Sequence, residues 1–240
     1  MMKLTLFPQA FDEPTASPFC MKSYCMLLAA GLPFELIETN DPRKSPKGKL
    51  PFIEADGIEI ADSDEIRAFI ETVADFDFDD GLTDRERGAA RAVIRMVEEH
   101  LYFAVVADRW GEDDNWQHIK ATFFHELPGP VRGVISSLAR RQAMRNLRGQ
   151  GIGLHTASER FERIRRDLIA LREILGDQPY LFGDKACSAD FSTVPMLRAA
   201  IVTPVEKPLG RFIKDDPGLM AYVARFMDAY YPKSAHVSAS

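Results

Sequence analysis

Ser17-Pro18-Phe19-Cys20-Met21-Lys22 sets a hydroxyl and a thiol at the start of a helix. Ser17 suits the N-cap, and Pro18 the first helical position, where its missing N–H costs nothing. Good helix formers follow to Ala30, and Gly31 supplies the stop. The free N–H groups of such a helix start, with the helix dipole, favour negative charge, so a thiolate held beside Ser17 is stabilised there. The plainer reading is that Ser17 only caps its helix. Cys20 reads either as a buried helix cysteine or as a thiol able to form mixed disulfides, and Cys25 as core.

The elements around this stretch give it a setting. Residues 3–7 alternate like a strand, and residues 33–39 form a second alternating stretch. Strand, helix and strand within so short a span make a βαβ unit with a parallel pair and a right-handed crossover. A polar connection with Pro42, Pro46 and Gly48 leads to residues 50–55, the pair Asp56-Gly57, and residues 58–61. An Asp-Gly pair between two apolar runs predicts a hairpin. Asp62-Ser63-Asp64-Glu65 opens the next helix, with Asp62 and Glu65 at capping-box spacing. Pro51 opens the third strand, and its cis or trans state is left open by the sequence. The order β-α-β then β-β-α is thioredoxin-like.

The 240 residues are 46% hydrophobic and 28% charged, with a net charge of −6, an ordinary globular balance that argues against a broad nucleic-acid surface. Cys20, Cys25 and Cys187 make no disulfide framework, which points to a reducing, cytoplasmic setting. Residues 1–7 do not have the form of a signal peptide, and no integral membrane segment is expected.

Residues 76–82 read as an acidic linker whose carboxylates face solvent rather than a metal, and no metal site is expected. Thr83 and Glu86 form a capping box for a long helix to about residue 108, in which His100 reads as a core or dimer-face residue. The basic run from Arg140 to Arg148 reads as a solvated helix face. Thr156 and Glu159 cap a further helix ending near Leu175, with helices over about 189–202 and 217–230 to follow. The domain expectation is 1–75 for the α/β part, 83–232 for an all-helical part, and 233–240 for a flexible tail.

Ser17-Pro18-Phe19-Cys20-Met21-Lys22, Lys49-Leu50-Pro51 and Asp62-Ser63, in this order and spacing, resemble the glutathione transferase superfamily. The stretch from Ser45 through Glu54, followed by Ile60-Ala61-Asp62-Ser63, is similar to its failed-axon-connections and metaxin-like branch, which includes members lacking transferase activity. The resemblance implies a thioredoxin-like N-terminal domain, an all-α C-terminal domain, glutathione as co-substrate, a small-molecule electrophile and a homodimer. It implies that Ser17 hydrogen-bonds the glutathione thiolate. Lys49 would meet the glycyl end, and Leu50, before a cis Pro51, the cysteinyl backbone. Asp62 and Ser63 would hold the γ-glutamyl group. Cys187-Ser188-Ala189-Asp190 matches the superfamily's buried helix cap, with Cys187 in place of the usual hydroxyl and Ser188 or Asp190 left to compensate. Cys20 stands where a thioredoxin C-x-x-C pattern has its second cysteine. Two alternatives accompany the transferase: a thiol-disulfide oxidoreductase using Cys20, and a non-catalytic, metaxin-like interaction protein.

Overall fold

The computed structural model describes residues 1–231; the expected tail at 233–240 lies outside the described residues. Strands β1 (Met2–Leu6), β2 (Phe34–Glu38), β3 (Phe52–Ala55) and β4 (Ile58–Ala61) form one sheet in the order β2-β1-β3-β4. β1 runs parallel to β2, with Leu4 opposite Leu36, and antiparallel to β3, with Leu4 opposite Ile53. The Asp56-Gly57 hairpin forms as expected, with both residues at positive φ (51° and 79°), the backbone a tight two-residue turn requires.

Helix α1 (Pro18–Ala29) crosses between β1 and β2, and α2 (Ser63–Ala74) follows β4. α1 is buried along almost its whole length, because it is clasped between α2 and the helices α8 and α10 described below. The capping box expected at Asp62 and Glu65 does not form. Asp62 instead accepts from the backbone N–H of Asp64 at 2.9 Å and sits at φ 98°, while Glu65 stays exposed.

The helical part begins with α3 (Asp84–Met96), capped by Thr83 and Glu86 as expected. It continues through a π turn (Val97–Leu101), α4 (Tyr102–Val106) and a second π turn (Ala107–Gly111) as one long run. Then come α5 (Asp113–Phe123), α6 (Gly129–Gln150), α7 (Ala157–Leu175), α8 (Ser188–Ile201), α9 (Pro208–Lys214) and α10 (Pro217–Tyr230). Thr156 and Glu159 cap α7 as expected. His100 is half-buried and faces Asp167 of α7 at 2.5 Å. α9 has no counterpart among the sequence expectations.

α8 is the buried axis of this part. Asp190 serves its start: one carboxylate oxygen accepts from the N–H of Cys187, the other from the N–H of Leu181 and from the Tyr222 hydroxyl. Cys187 and Asp190 thus form a capping box in which the carboxylate supplies the strong acceptor, which is a folding role.

Two expectations are corrected. Asp79, in the acidic stretch, is buried rather than solvated: it pairs with Arg67 at 2.7 Å and accepts from the N–H of Ser188 at 3.0 Å. Phe78 beside it packs edge-on against Phe191 of α8, so this stretch fastens α2 to the helical part. In the basic run, Arg141, Arg145 and Arg148 are exposed as expected, but Arg140 is half-buried. It donates to the carbonyls of Trp110 and Gly111 at 2.8 Å, serving carbonyls that a helix end leaves unpaired.

Candidate active site

The register fixes which loops can share chemistry. Thr5 pairs with Phe52, and Phe52 with Ala61. The end of β1, the start of β3 and the end of β4 therefore lie side by side at one end of the sheet. The segments attached there carry Ser17, Lys49-Leu50-Pro51 and Asp62-Ser63. The helices α1 and α2 both begin at this end, so their free N–H groups and positive dipole ends belong to one region.

Ser17 is the N-cap residue of α1 in extended conformation, yet its side chain makes no capping hydrogen bond. Its hydroxyl is therefore not spent on the backbone N–H groups of its own helix. The peptide between Leu50 and Pro51 is cis, which decides the point the sequence left open. Leu50 and Pro51 are buried, whereas Lys49 is exposed and makes no ion pair among the described residues. Asp62 is exposed in a conformation that costs a non-glycine residue roughly 1–3 kcal/mol and that tends to persist at functional sites. Ser63, at the first position of α2, is buried at 5% exposure.

Cys20 sits one turn into α1 with none of its surface exposed. Burial pushes its thiol up to about 11, against a smaller opposing pull from the Phe7 backbone and the Ser17 and Thr15 hydroxyls. At neutral pH it is a protonated thiol. Cys25 is likewise buried, and its thiol is pushed up by burial. Among the described residues, no group of His, Cys, Asp and Glu is arranged to hold a metal ion, and no helix is long and apolar enough to cross a membrane.

Several contributors were not anticipated from the sequence. Lys22, wholly buried, donates to Asp64 at 2.9 Å and to Glu98 at 2.7 Å. Arg95 bridges the same two carboxylates at 3.0 and 2.6 Å, and Ser192 donates to Glu98. Burial works to raise the Asp64 carboxyl, but Lys22, Arg91 and Arg95 outweigh it and hold Asp64 well below the usual carboxylate range. A lysine as the one charged residue of a largely apolar helix was the available signal for this cluster.

Arg109, in the second π turn, is 6% exposed. With Ser17, Phe11, Glu13 and Tyr231 it lines a cavity of about 10 Å³, room for about one water. Phe11 also borders an open groove of about 470 Å³ between α5 and the end of α8, walled by His118, Thr122, Ile201 and Thr203.

Comparison with known proteins bears on the family and the fold. Residues 18–116 match the family described as glutathione S-transferase N-terminal domain, and residues 164–226 that described as glutathione S-transferase, C-terminal domain. The chain is 31% identical to Failed axon connections of Drosophila melanogaster, over 91% of this chain and 55% of that protein. It is 29% identical to isoprene-epoxide–glutathione S-transferase of Rhodococcus sp. (strain AD45), over 92% of this chain and 95% of that one. Metaxin-1 of Mus musculus is 25% identical over 85% of this chain and 67% of its own length. Among solved structures, glutathione transferase F7 from Populus trichocarpa superposes with a TM-score of 0.60 at 16% identity, covering 95% of this chain and 93% of that one, which is a likeness of fold.

The fold and the two matched domains define a glutathione S-transferase architecture, an α/β thioredoxin-like domain followed by an all-α domain. The chain belongs to the glutathione S-transferase superfamily, with relatives in its failed-axon-connections and metaxin-like branch. It spans just over half the length of Failed axon connections.

Proposed function

We propose that the chain is a glutathione transferase that adds the glutathione thiolate to a small electrophile, with an epoxide as the substrate class. The observation that carries this reading is the meeting of Ser17, Leu50-Pro51 and Asp62-Ser63 at one end of the sheet, with a Ser17 hydroxyl that makes no capping bond at a helix N-terminus. Glutathione brings two carboxylates, an ammonium and a thiol whose ordinary pKa is about 8.5. Lys49 takes the glycyl carboxylate, and the Leu50 backbone pairs with the cysteinyl unit. Asp62 takes the ammonium. The Ser63 hydroxyl and the first N–H groups of α2 take the γ-glutamyl carboxylate. Ser17 donates to the sulfur, lowering the thiol pKa and supplying thiolate at neutral pH.

The epoxide enters from a relative's name: isoprene-epoxide–glutathione S-transferase aligns over 92% of this chain. The thiolate attacks a ring carbon, the C–O bond breaks, and the alkoxide takes a proton from solvent to leave a hydroxy thioether. The groove beside Phe11 is the place for the carbon skeleton. The buried, protonated Cys20 supports Ser17 over Cys20 as the working residue, and so weighs against the thiol-disulfide oxidoreductase reading. Three free, buried cysteines suit a reducing, cytoplasmic compartment. A homodimer belongs to the same reading by family precedent, with domains at 1–75 and 83–232 and a linker at 76–82.

The test is Ser17→Ala with glutathione bound. The ultraviolet absorbance of the thiolate should titrate at higher pH than in the parent, and kcat should fall by about 100-fold. Unchanged thiolate titration and turnover would remove Ser17 from the mechanism.

A further inference from the structure

Arg109 is a buried cation with no carboxylate in direct contact among the described residues. Its Nε–H donates to the Thr203 hydroxyl at 3.3 Å, and its two terminal nitrogens to the carbonyls of Ala16 at 3.5 Å and Ala199 at 2.6 Å. These partners engage three of the five N–H donors a guanidinium carries. No carboxylate pairs with it among the described residues. Glu13 borders the same cavity and attracts the guanidinium through space, but its direct ion pair is with Arg198. A buried charge with no directly bonded counterion is costly, and a fold tends to retain one where an anion is to be received. Burial pulls the guanidinium down to about 10, which leaves it charged at neutral pH.

The surroundings are built to hold it. The Phe11 ring stands 4.9 Å from the guanidinium carbon, on a turn where Phe11 and Asp12 both take positive φ (57° and 58°). Two consecutive non-glycine residues in that region are strained, and the Ala10–Glu13 bridge closes the turn beneath them. The π turn that carries Arg109 is a rare element frequent at functional sites. Between Arg109 and Ser17 lies a cavity with room for one oxygen atom. The buried Tyr231 hydroxyl borders the same space and faces the Glu13 carboxylate.

We infer that Arg109 receives the oxygen of the electrophile: the one-oxygen cavity between Ser17 and Arg109 is the subsite where the alkoxide of an opening epoxide develops. This rests on the transferase reading above. As sulfur bonds to the ring carbon, the electron pair of the breaking C–O bond passes to the oxygen. The free N–H groups of Arg109 stabilise that charge until solvent protonates it, with no oxidant or further reactant needed. The same residue has little to offer a substrate whose leaving group is a large, weakly basic halide.

The experiment compares propylene oxide with propyl iodide as substrates for the full chain and for Arg109→Gln, with glutathione binding followed by calorimetry. Glutathione affinity should hold within about threefold, kcat/KM for the iodide likewise, and kcat/KM for the epoxide should drop by about 100-fold. Arg109→Lys, which keeps the charge and loses the fork, should show the same split at about tenfold, and it carries the comparison if the Gln variant fails to fold. Equal losses on both substrates, or none, would overturn the assignment. So would a parent protein that binds glutathione but does not open the epoxide. A parent that fails to bind glutathione would remove the transferase reading as well, a result distinct from the others.

Discussion

Lys22 of α1 and Asp64 of α2 are joined at 2.9 Å, with the lysine wholly buried. Lys22 lies five residues after Ser17, and Asp64 directly follows Ser63. The pair therefore ties the helix start that would hold the glutathione sulfur to the one that would hold its γ-glutamyl end. Glu98, at 2.7 Å from the same ammonium, anchors both to the long helix of the second domain.

Lys22→Met should destabilise the protein by about 3–5 kcal/mol, because it strands two inward-facing carboxylates without their shared counterion. Arg91 and Arg95 remain beside Asp64, which favours the low end of that range. Urea unfolding read by circular dichroism measures it. A loss under about 1 kcal/mol would mean that the arginines alone satisfy the cluster.

The three cysteines should resist an aromatic disulfide reagent in the native protein and all react once it is unfolded. All three are buried, and Cys20 has its thiol pushed up to about 11. Thiolate is the reacting form, so both exposure and ionisation are withheld. Rapid native labelling, abolished by Cys20→Ala, would revive the oxidoreductase reading.

Asp108 predicts a pH dependence of stability. Burial pushes its carboxyl up to about 6, and the Arg160 guanidinium only partly offsets this. The folded value lies above the unfolded one, which is about 3.9. The contribution of Asp108 is thus fully present below about pH 4 and is lost as pH rises through about 6, because ionising the buried group then opposes folding. Asp108→Asn should therefore raise stability by roughly 1–2 kcal/mol at mildly alkaline pH and change it little near pH 4. Thermal melts at the two pH values read the difference. A loss of stability at alkaline pH would mean that the ion pair with Arg160 outweighs burial.

Much of the N-terminal fold was legible because its signals are local. The alternation of residues 3–7, the Ser-Pro helix start and the Asp-Gly hairpin each act within a few residues. The candidate site followed from the order of three short motifs. What was not legible depends on residues distant in sequence. The two carboxylates on Lys22 lie 42 and 76 residues away. The Ala199 carbonyl that orients Arg109 is 90 residues away. Asp79 sits in a stretch whose composition reads as solvated linker, and only the packing of Phe78 on Phe191 draws it inside. The Asp62–Glu65 capping box had the right spacing, but Asp62 leaves β4 at φ 98° and spends its carboxylate on the N–H of Asp64.

The most direct measurement is calorimetric titration of the full chain with reduced glutathione, alongside Ser63→Ala. Ser63 is chosen because it opens α2 at the end of the sheet shared with Ser17 and Pro51. Binding in the micromolar to low-millimolar range, weakened by about tenfold or more in the variant, is the predicted result. No heat of binding at several times about 1 mM glutathione would contradict the transferase account and leave the fold to a non-catalytic interaction role.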